Sequence, residues 1–165
     1  MPSVSVTRFY SWDHDALDKY LTRFHELKRV DFEQAKLLFK TFMLVLKRHM
    51  LWEEEIVFPA FETKTKIKAN GPTAVMRHEH VLIKDALDKL HQKVRERNFD
   101  SDEEEHVLLA LLAMHGRKEE AMIYPAMDRL MTAGEKEEIF RKMEAFPIED
   151  AGCGCGQQKK SLSVG

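Results

Sequence analysis

Apolar side chains recur at steps of three, four and seven along most of this chain, the spacing of helices that bury one face. Tyr10, Leu17, Leu21 and Phe24 form one such stripe and predict a first helix from about Ser11 to Leu27. Asp31, with Gln34 three residues on, offers an N-cap for a long second helix from Phe32 to about Lys66. Pro59 falls inside it and cannot supply a backbone donor, so a kink or break is expected near Phe58. Asn70-Gly71-Pro72 reads as a loop, after which Met76, Ile83, Leu87, Leu90 and Val94 mark a third helix that stops near Asn98. Ser101 with Glu104 has the form of a capping box. It opens a fourth helix on which Leu108, Leu112, Met122 and Ala126 share a face up to about Met131, interrupted near its end by Pro125. A short fifth helix is expected from Gly134 to Ala145. From Pro147 onward the segment is small, polar and glycine-rich, with too little apolar surface to offset its ordering entropy, and is expected to be disordered.

Four long helices with short connections point to an all-α fold, an antiparallel up-down-up-down bundle. The chain also repeats itself at an offset of 66 residues, which superposes His14 on His80, His49 on His115, Glu53 on Glu119 and Pro59-Ala60 on Pro125-Ala126. The same shift pairs Asp13 with Glu79, His25 with His91 and Phe58 with Tyr124. The bundle is therefore read as two similar helical hairpins.

Polar residues interrupt the apolar stripes at matching places. On the second helix Phe39, Phe42, Leu46, His49, Glu53 and Ile56 follow one another on one face, and the fourth repeats this with Leu108, Leu112, His115, Glu119 and Met122. His14 lies in series with Tyr10 and Leu17, and His80 lies between Met76 and Ile83. Two carboxylates and four imidazoles buried together need compensation, because isolated buried charges are costly and like charges repel. A pair of divalent or trivalent cations supplies it, and this ligand set suits iron, manganese or zinc. The i, i+4 spacing lets each histidine hold one metal while each glutamate reaches across to bridge both. Such a centre keeps coordination positions open for water, dioxygen, peroxide or nitric oxide. His25 and His91 lie about 16 Å further along their helices, too far to join the site. With His78 and His106 they read as ordinary surface or core residues. Glu54 and Glu120 point about 100° away from their neighbours and read as solvated or as partners to the ligands.

Composition narrows the picture further. The chain has 165 residues, 44% hydrophobic and 33% charged, which suits one soluble domain. A formal net charge of -2, with basic and acidic residues interspersed, makes nucleic acid an unexpected partner. No apolar run is long enough to span a membrane and no secretory leader is visible, so a cytoplasmic protein is expected. Cys153 and Cys155 are too close in sequence to staple the fold.

The series His14, His49-x-x-x-Glu53, His80 and His115-x-x-x-Glu119 resembles the hemerythrin-like, or HHE cation-binding, domain family over about Tyr10 to Met131. The resemblance implies a four-helix bundle over residues 1–146 around a non-haem di-iron centre. His14, His49, His80 and His115 would then be terminal ligands and Glu53 and Glu119 bridges, and residues 147–165 a flexible tail. Oxygen-carrying members present a further histidine one turn before the third-helix ligand, a position held here by Met76. Its repeat partner Tyr10 lies one turn before His14 and can approach a metal or donate a hydrogen bond to a bound ligand. The expected function is binding or turnover of dioxygen, nitric oxide or peroxide, in sensing, detoxification or storage. Two alternatives stand beside it. One is an iron donor or repair protein for damaged iron–sulfur centres, with Cys153 and Cys155 relaying metal or electrons. The other is a structural bundle closed by zinc.

Overall fold

A computed structural model describes residues 5–147, and every regular element among them is helical. In chain order these are α1 (Val6–Leu27), α2 (Phe32–Trp52), α3 (Phe58–Thr65), α4 (Pro72–Arg95), α5 (Asp102–Lys118), α6 (Tyr124–Leu130) and α7 (Ala133–Ala145). A π-helical turn, Glu53–Val57, joins α2 to α3, and another, Glu119–Ile123, joins α5 to α6. Each pair is thus one continuous rod, and the described residues form four long rods followed by the shorter α7. The segment from 148 onward, with Cys153 and Cys155, lies outside the described residues.

The two π-turns replace the expected kinks. The Phe58 amide bonds to the Glu53 carbonyl and the Tyr124 amide to the Glu119 carbonyl, five residues back in each case. Pro59 and Pro125 follow immediately. A proline ring lacks the donor and crowds the carbonyl four residues before it, and a widened turn relieves both problems without ending the rod. The extra residue in the turn rotates everything after it by about 100° relative to an α-helix. Regular spacing had put Met122 on the inner face of the fourth helix, but it is 52% exposed, while Ile123 and Tyr124 are fully buried.

Helix starts show how local and distant groups share the capping. Asp31 accepts from the Gln34 amide as expected. α1 begins at Val6, earlier than the pattern suggested, because Ser5 caps the Arg8 amide and the Asp128 carboxylate accepts from the amides of Val6 and Thr7 at 2.9 and 3.0 Å. Asp128 belongs to α6, so no local signal announces that start. Ser101 occupies the N-cap of α5, but the expected capping box does not form there. Its hydroxyl donates to Glu105 at 2.6 Å and accepts from the Lys28 ammonium. A true capping box, Thr132 with Glu135, opens α7 instead.

Neighbouring rods run in opposite directions. On α1 and α2, Asp13 meets His49 and Phe24 meets Phe39. The α2–α3 rod meets α4 with Glu54 at His80 and Glu62 at Thr73. α4 meets α5 with His80 at His115 and Lys93 at Glu104. The α5–α6 rod returns to α1 with Glu105 at His25 and Asp128 at Ser5. Two apolar clusters fill the interior. One, around Leu21, Phe24, Phe39, Phe42, Leu90 and Leu108, occupies one end. The other, around Tyr10, Phe58, Met76, Ile123 and Tyr124, is closed by Ile139 and Met143 of α7. Each large side chain buried this way contributes roughly 1.5–3 kcal/mol. The histidines and glutamates of the apolar stripes lie in the layer between the two clusters.

Candidate metal centre

Six side chains from four rods converge on that layer. His14 comes from α1, His49 from α2, His80 from α4 and His115 from α5, while Glu53 and Glu119 are each the first residue of a π-turn. His49 Nε2 lies 3.4 Å and His80 Nε2 3.2 Å from Glu53 Oε2. His14 Nε2 lies 3.4 Å from Glu119 Oε2, and His115 Nε2 3.0 Å from Glu119 Oε1. Two groups could hold a cation: Glu53, His80, His115 and Glu119, all buried, and His14, His49 and Glu119. Glu119 is common to both. The residues that the repeat singled out are thus brought together by the fold.

The opposite nitrogen of every imidazole is held by a carboxylate. His49 Nδ1 donates to Asp13 at 2.8 Å, His80 Nδ1 to Glu54 at 2.7 Å, His115 Nδ1 to Glu79 at 3.0 Å and His14 Nδ1 to Glu120 at 2.6 Å. A carboxylate there keeps the proton on Nδ1 and turns the Nε2 lone pair inward, the arrangement that orients a metal-binding histidine and raises its basicity. Three of these partners are backed by cations in turn, Asp13 by Arg48, Glu54 by Lys84 and Glu79 by Lys118. The bond from His80, helped by Lys84, holds the Glu54 pKa down at about 2. In the sequence these four acids were visible as two repeat pairs, Asp13 with Glu79 and Glu54 with Glu120. Their neighbours in space were not visible, because each acid serves a histidine on another rod.

Tyr124 is the other residue that spacing did not single out. Its hydroxyl lies between the two glutamates, in hydrogen-bonding contact with Glu53 and 2.9 Å from Glu119 Oε2. One hydroxyl proton serves one acceptor, so both contacts are satisfied together when one of the glutamates is itself protonated. Burial, then the neighbouring charge of Glu119, pushes the Glu53 pKa up and makes it the protonated partner. Burial also opposes the charge on Glu119, but the facing imidazoles of His115 and His14 outweigh it and hold its pKa well below the usual range. Burial opposes protonation of His14 too, and the facing Glu119 carboxylate and the bond to Glu120 override it, raising the pKa to about 9. The available clue to Tyr124 was the repeat, which pairs it with Phe58 and so places a hydroxyl in only one half.

Tyr10 is fully buried, stacked on Tyr124 with ring centroids 4.6 Å apart and set edge-on to His49 at 5.1 Å. Met76 is buried in the adjoining apolar cluster. Four buried polar atoms have no hydrogen-bond partner at this layer: Tyr10 Oη, His14 Nε2, Glu53 Oε2 and Glu119 Oε1. Buried polar atoms are normally satisfied, so a cluster of orphans calls for a missing partner. Inward imidazole nitrogens and carboxylate oxygens are donors that fit one or two divalent or trivalent transition-metal ions.

The remaining histidines stay outside the layer. His78 and His106 are exposed, and His91 packs 6.0 Å from the Phe39 ring. His25, half exposed, bonds to Glu105 at 2.7 Å beside Asp102. That trio also has the spacing of a cation site, but the buried Lys28 ammonium already contacts Glu105, Asp102 and Ser101 and supplies the positive charge.

A buried imidazole and carboxylate layer on a helical frame, with orphaned atoms aimed into it, defines a cation-binding helical protein. The chain belongs to the hemerythrin HHE cation-binding domain family, whose family model matches residues 7–110. Comparison with curated proteins and with solved structures gives no match. The matched span ends before His115 and Glu119, which enter the site through the repeat and the geometry.

Proposed function

We propose that this protein holds a non-haem di-iron centre that binds or turns over a small ligand such as dioxygen, nitric oxide or peroxide. In this reading the four rods close as an up-down-up-down bundle, supported by the opposite directions of all four neighbouring pairs. His14 and His49 would hold one iron and His80 and His115 the other, with Glu53 and Glu119 supplying the carboxylates between them. The observation that carries the reading is the convergence of four inward Nε2 atoms on two buried carboxylates, with each imidazole fixed from behind by an acid. Iron would supply reversible electron exchange and open coordination positions. The chain's own groups do the rest. Asp13, Glu54, Glu79 and Glu120 keep the imidazoles in one tautomer, Tyr124 holds a hydrogen bond at the glutamate pair, and the two apolar clusters exclude bulk water. Tyr10 places a phenol beside His49, where it can donate to a ligand. The interspersed charge and the net charge of -2 are in keeping with a cytoplasmic protein without nucleic-acid partners.

Metal analysis and an optical spectrum of natively purified protein test this directly. About two irons per chain are expected, with a charge-transfer band that changes on adding dioxygen, peroxide or nitric oxide. Zinc as the bound metal, with no optical response to any of these, would overturn the reading.

A further inference from the structure

The two halves of the centre repeat each other in their histidines and glutamates, but one aromatic position differs. At the 66-residue offset Tyr124 corresponds to Phe58. Each follows a π-turn and precedes a proline, and each ring is fully buried beside a histidine, Phe58 stacked 5.7 Å from His80 and Tyr124 tilted 6.1 Å from His14. The two rings pack alike, so the hydroxyl that only Tyr124 carries is not needed for packing, and a buried hydroxyl is costly unless a polar partner meets it. Its oxygen contacts a carboxylate oxygen of Glu53 and stands 2.9 Å from Glu119 Oε2, the same oxygen that faces His14 Nε2 at 3.4 Å. Donors at right angles on one transition-metal ion, each about 2.1 Å from it, stand roughly 3 Å apart. The group of Glu53, His80, His115 and Glu119 offers four donors without any tyrosine, whereas the group of His14, His49 and Glu119 offers three.

We propose that Tyr124 is a further metal ligand, its phenolate oxygen binding the iron held by His14 and His49. The inference rests on the di-iron reading and adds a donor that makes the two metal positions unlike. A hydrogen bond alone explains less. One phenol proton serves one acceptor. With both glutamates turned to cations, the second contact would set two oxygen lone pairs against each other 2.9 Å apart in a buried layer. A cation shared by Tyr124 Oη and Glu119 Oε2 removes that conflict, and the phenol proton leaves to solvent, as it does from any protonated ligand that binds a metal. In the metal-free protein the same oxygen keeps its hydrogen bond at the glutamates. Phenolate is a hard anionic oxygen donor, which favours a trivalent ion. The His14 and His49 position is therefore the one that favours the ferric state, while Phe58 gives the His80 and His115 position no such donor.

Resonance Raman spectroscopy tests it. A tyrosinate on iron(III) gives a visible charge-transfer band, and excitation within that band enhances the vibrations of the phenolate ring. Air-oxidised, iron-loaded protein should show these ring vibrations, and they should shift when the protein is produced with ring-deuterated tyrosine. Tyr124→Phe should lose both the band and the vibrations. The chain has three tyrosines, and Tyr20 packs in the cluster at the other end of the bundle. A double variant, Tyr10→Phe with Tyr20→Phe, leaves Tyr124 as the only source and should keep the vibrations, so the assignment does not depend on the folding of Tyr124→Phe. Iron-loaded wild-type protein without tyrosinate vibrations, as a hydrogen bond alone would give, overturns the proposal, and so do vibrations that survive Tyr124→Phe or vanish in the double variant while its iron remains. A wild-type chain that takes up no iron sinks the di-iron reading instead, and metal analysis tells that outcome apart from the others.

Discussion

Removing the metal turns the centre into a store of protons, and the pH dependence of the metal-free protein measures how strongly. His14 is raised from 6.5 to about 9 by the facing carboxylates of Glu119 and Glu120, which outweigh its burial. A base raised on folding contributes stability that is fully present below its unfolded pKa and lost as pH rises through the folded value. At about 1.4 kcal/mol per pH unit, that shift amounts to about 3 kcal/mol between pH 6.5 and 9. His115 is raised as well and adds to the loss. Glu53 acts in the same direction: an acid raised on folding costs stability once pH exceeds its ordinary value of 4.5. Glu119 is lowered, so its contribution changes only at acid pH, below this window. Throughout the window the folded chain binds more protons than the unfolded one, and stability must fall as pH rises. Against a typical total of about 5–15 kcal/mol the effect is large. Urea denaturation of chelator-treated protein from pH 6.5 to 9 should show the midpoint falling by about 1–2 M, and His14→Gln should flatten much of that slope. A midpoint that stays level or rises would refute the account of the buried charges. Metal-loaded protein should not show the fall, because the cations have displaced the protons.

Other changes probe the supports separately. Asp13→Ala removes the acceptor behind His49 and should weaken metal affinity by about 10–100-fold, measured by competition with a chromogenic chelator; unchanged affinity would show that Asp13 does not orient the imidazole. Tyr124→Phe deprives both glutamates of a buried partner and should cost the metal-free protein about 1–3 kcal/mol in urea denaturation, and a variant as stable as wild type would contradict the shared hydrogen bond. Asp128→Ala unties the first amides of α1 and should cost about 1–2 kcal/mol. Hydrogen exchange should then speed up at the start of α1, and undiminished protection there would count against the distant cap.

The helical stripes and the 66-residue repeat were legible in the sequence, as were the six side chains that the fold gathers into one buried layer, for a local reason. A helix brings residues three and four apart onto one face, so histidine and glutamate interrupting an apolar stripe announce a buried polar layer. Prolines 59 and 125 likewise announced a disturbance. That the disturbance is a π-turn, which rotates Met122 outward and Tyr124 inward, required a backbone adjustment that regular spacing does not encode. Contacts between rods were decided by the tertiary structure alone. Asp13 serves His49 and Glu120 serves His14 across helix boundaries, Asp128 caps a helix that begins more than 120 residues earlier, and Ser101 spends its hydroxyl on Glu105 because buried Lys28 draws them together. Gly116 shows the same division. As a letter it is a weak point in a helix, and only the close approach of the His14 ring from α1, 3.1 Å from where a β-carbon would stand, gives the glycine a reason.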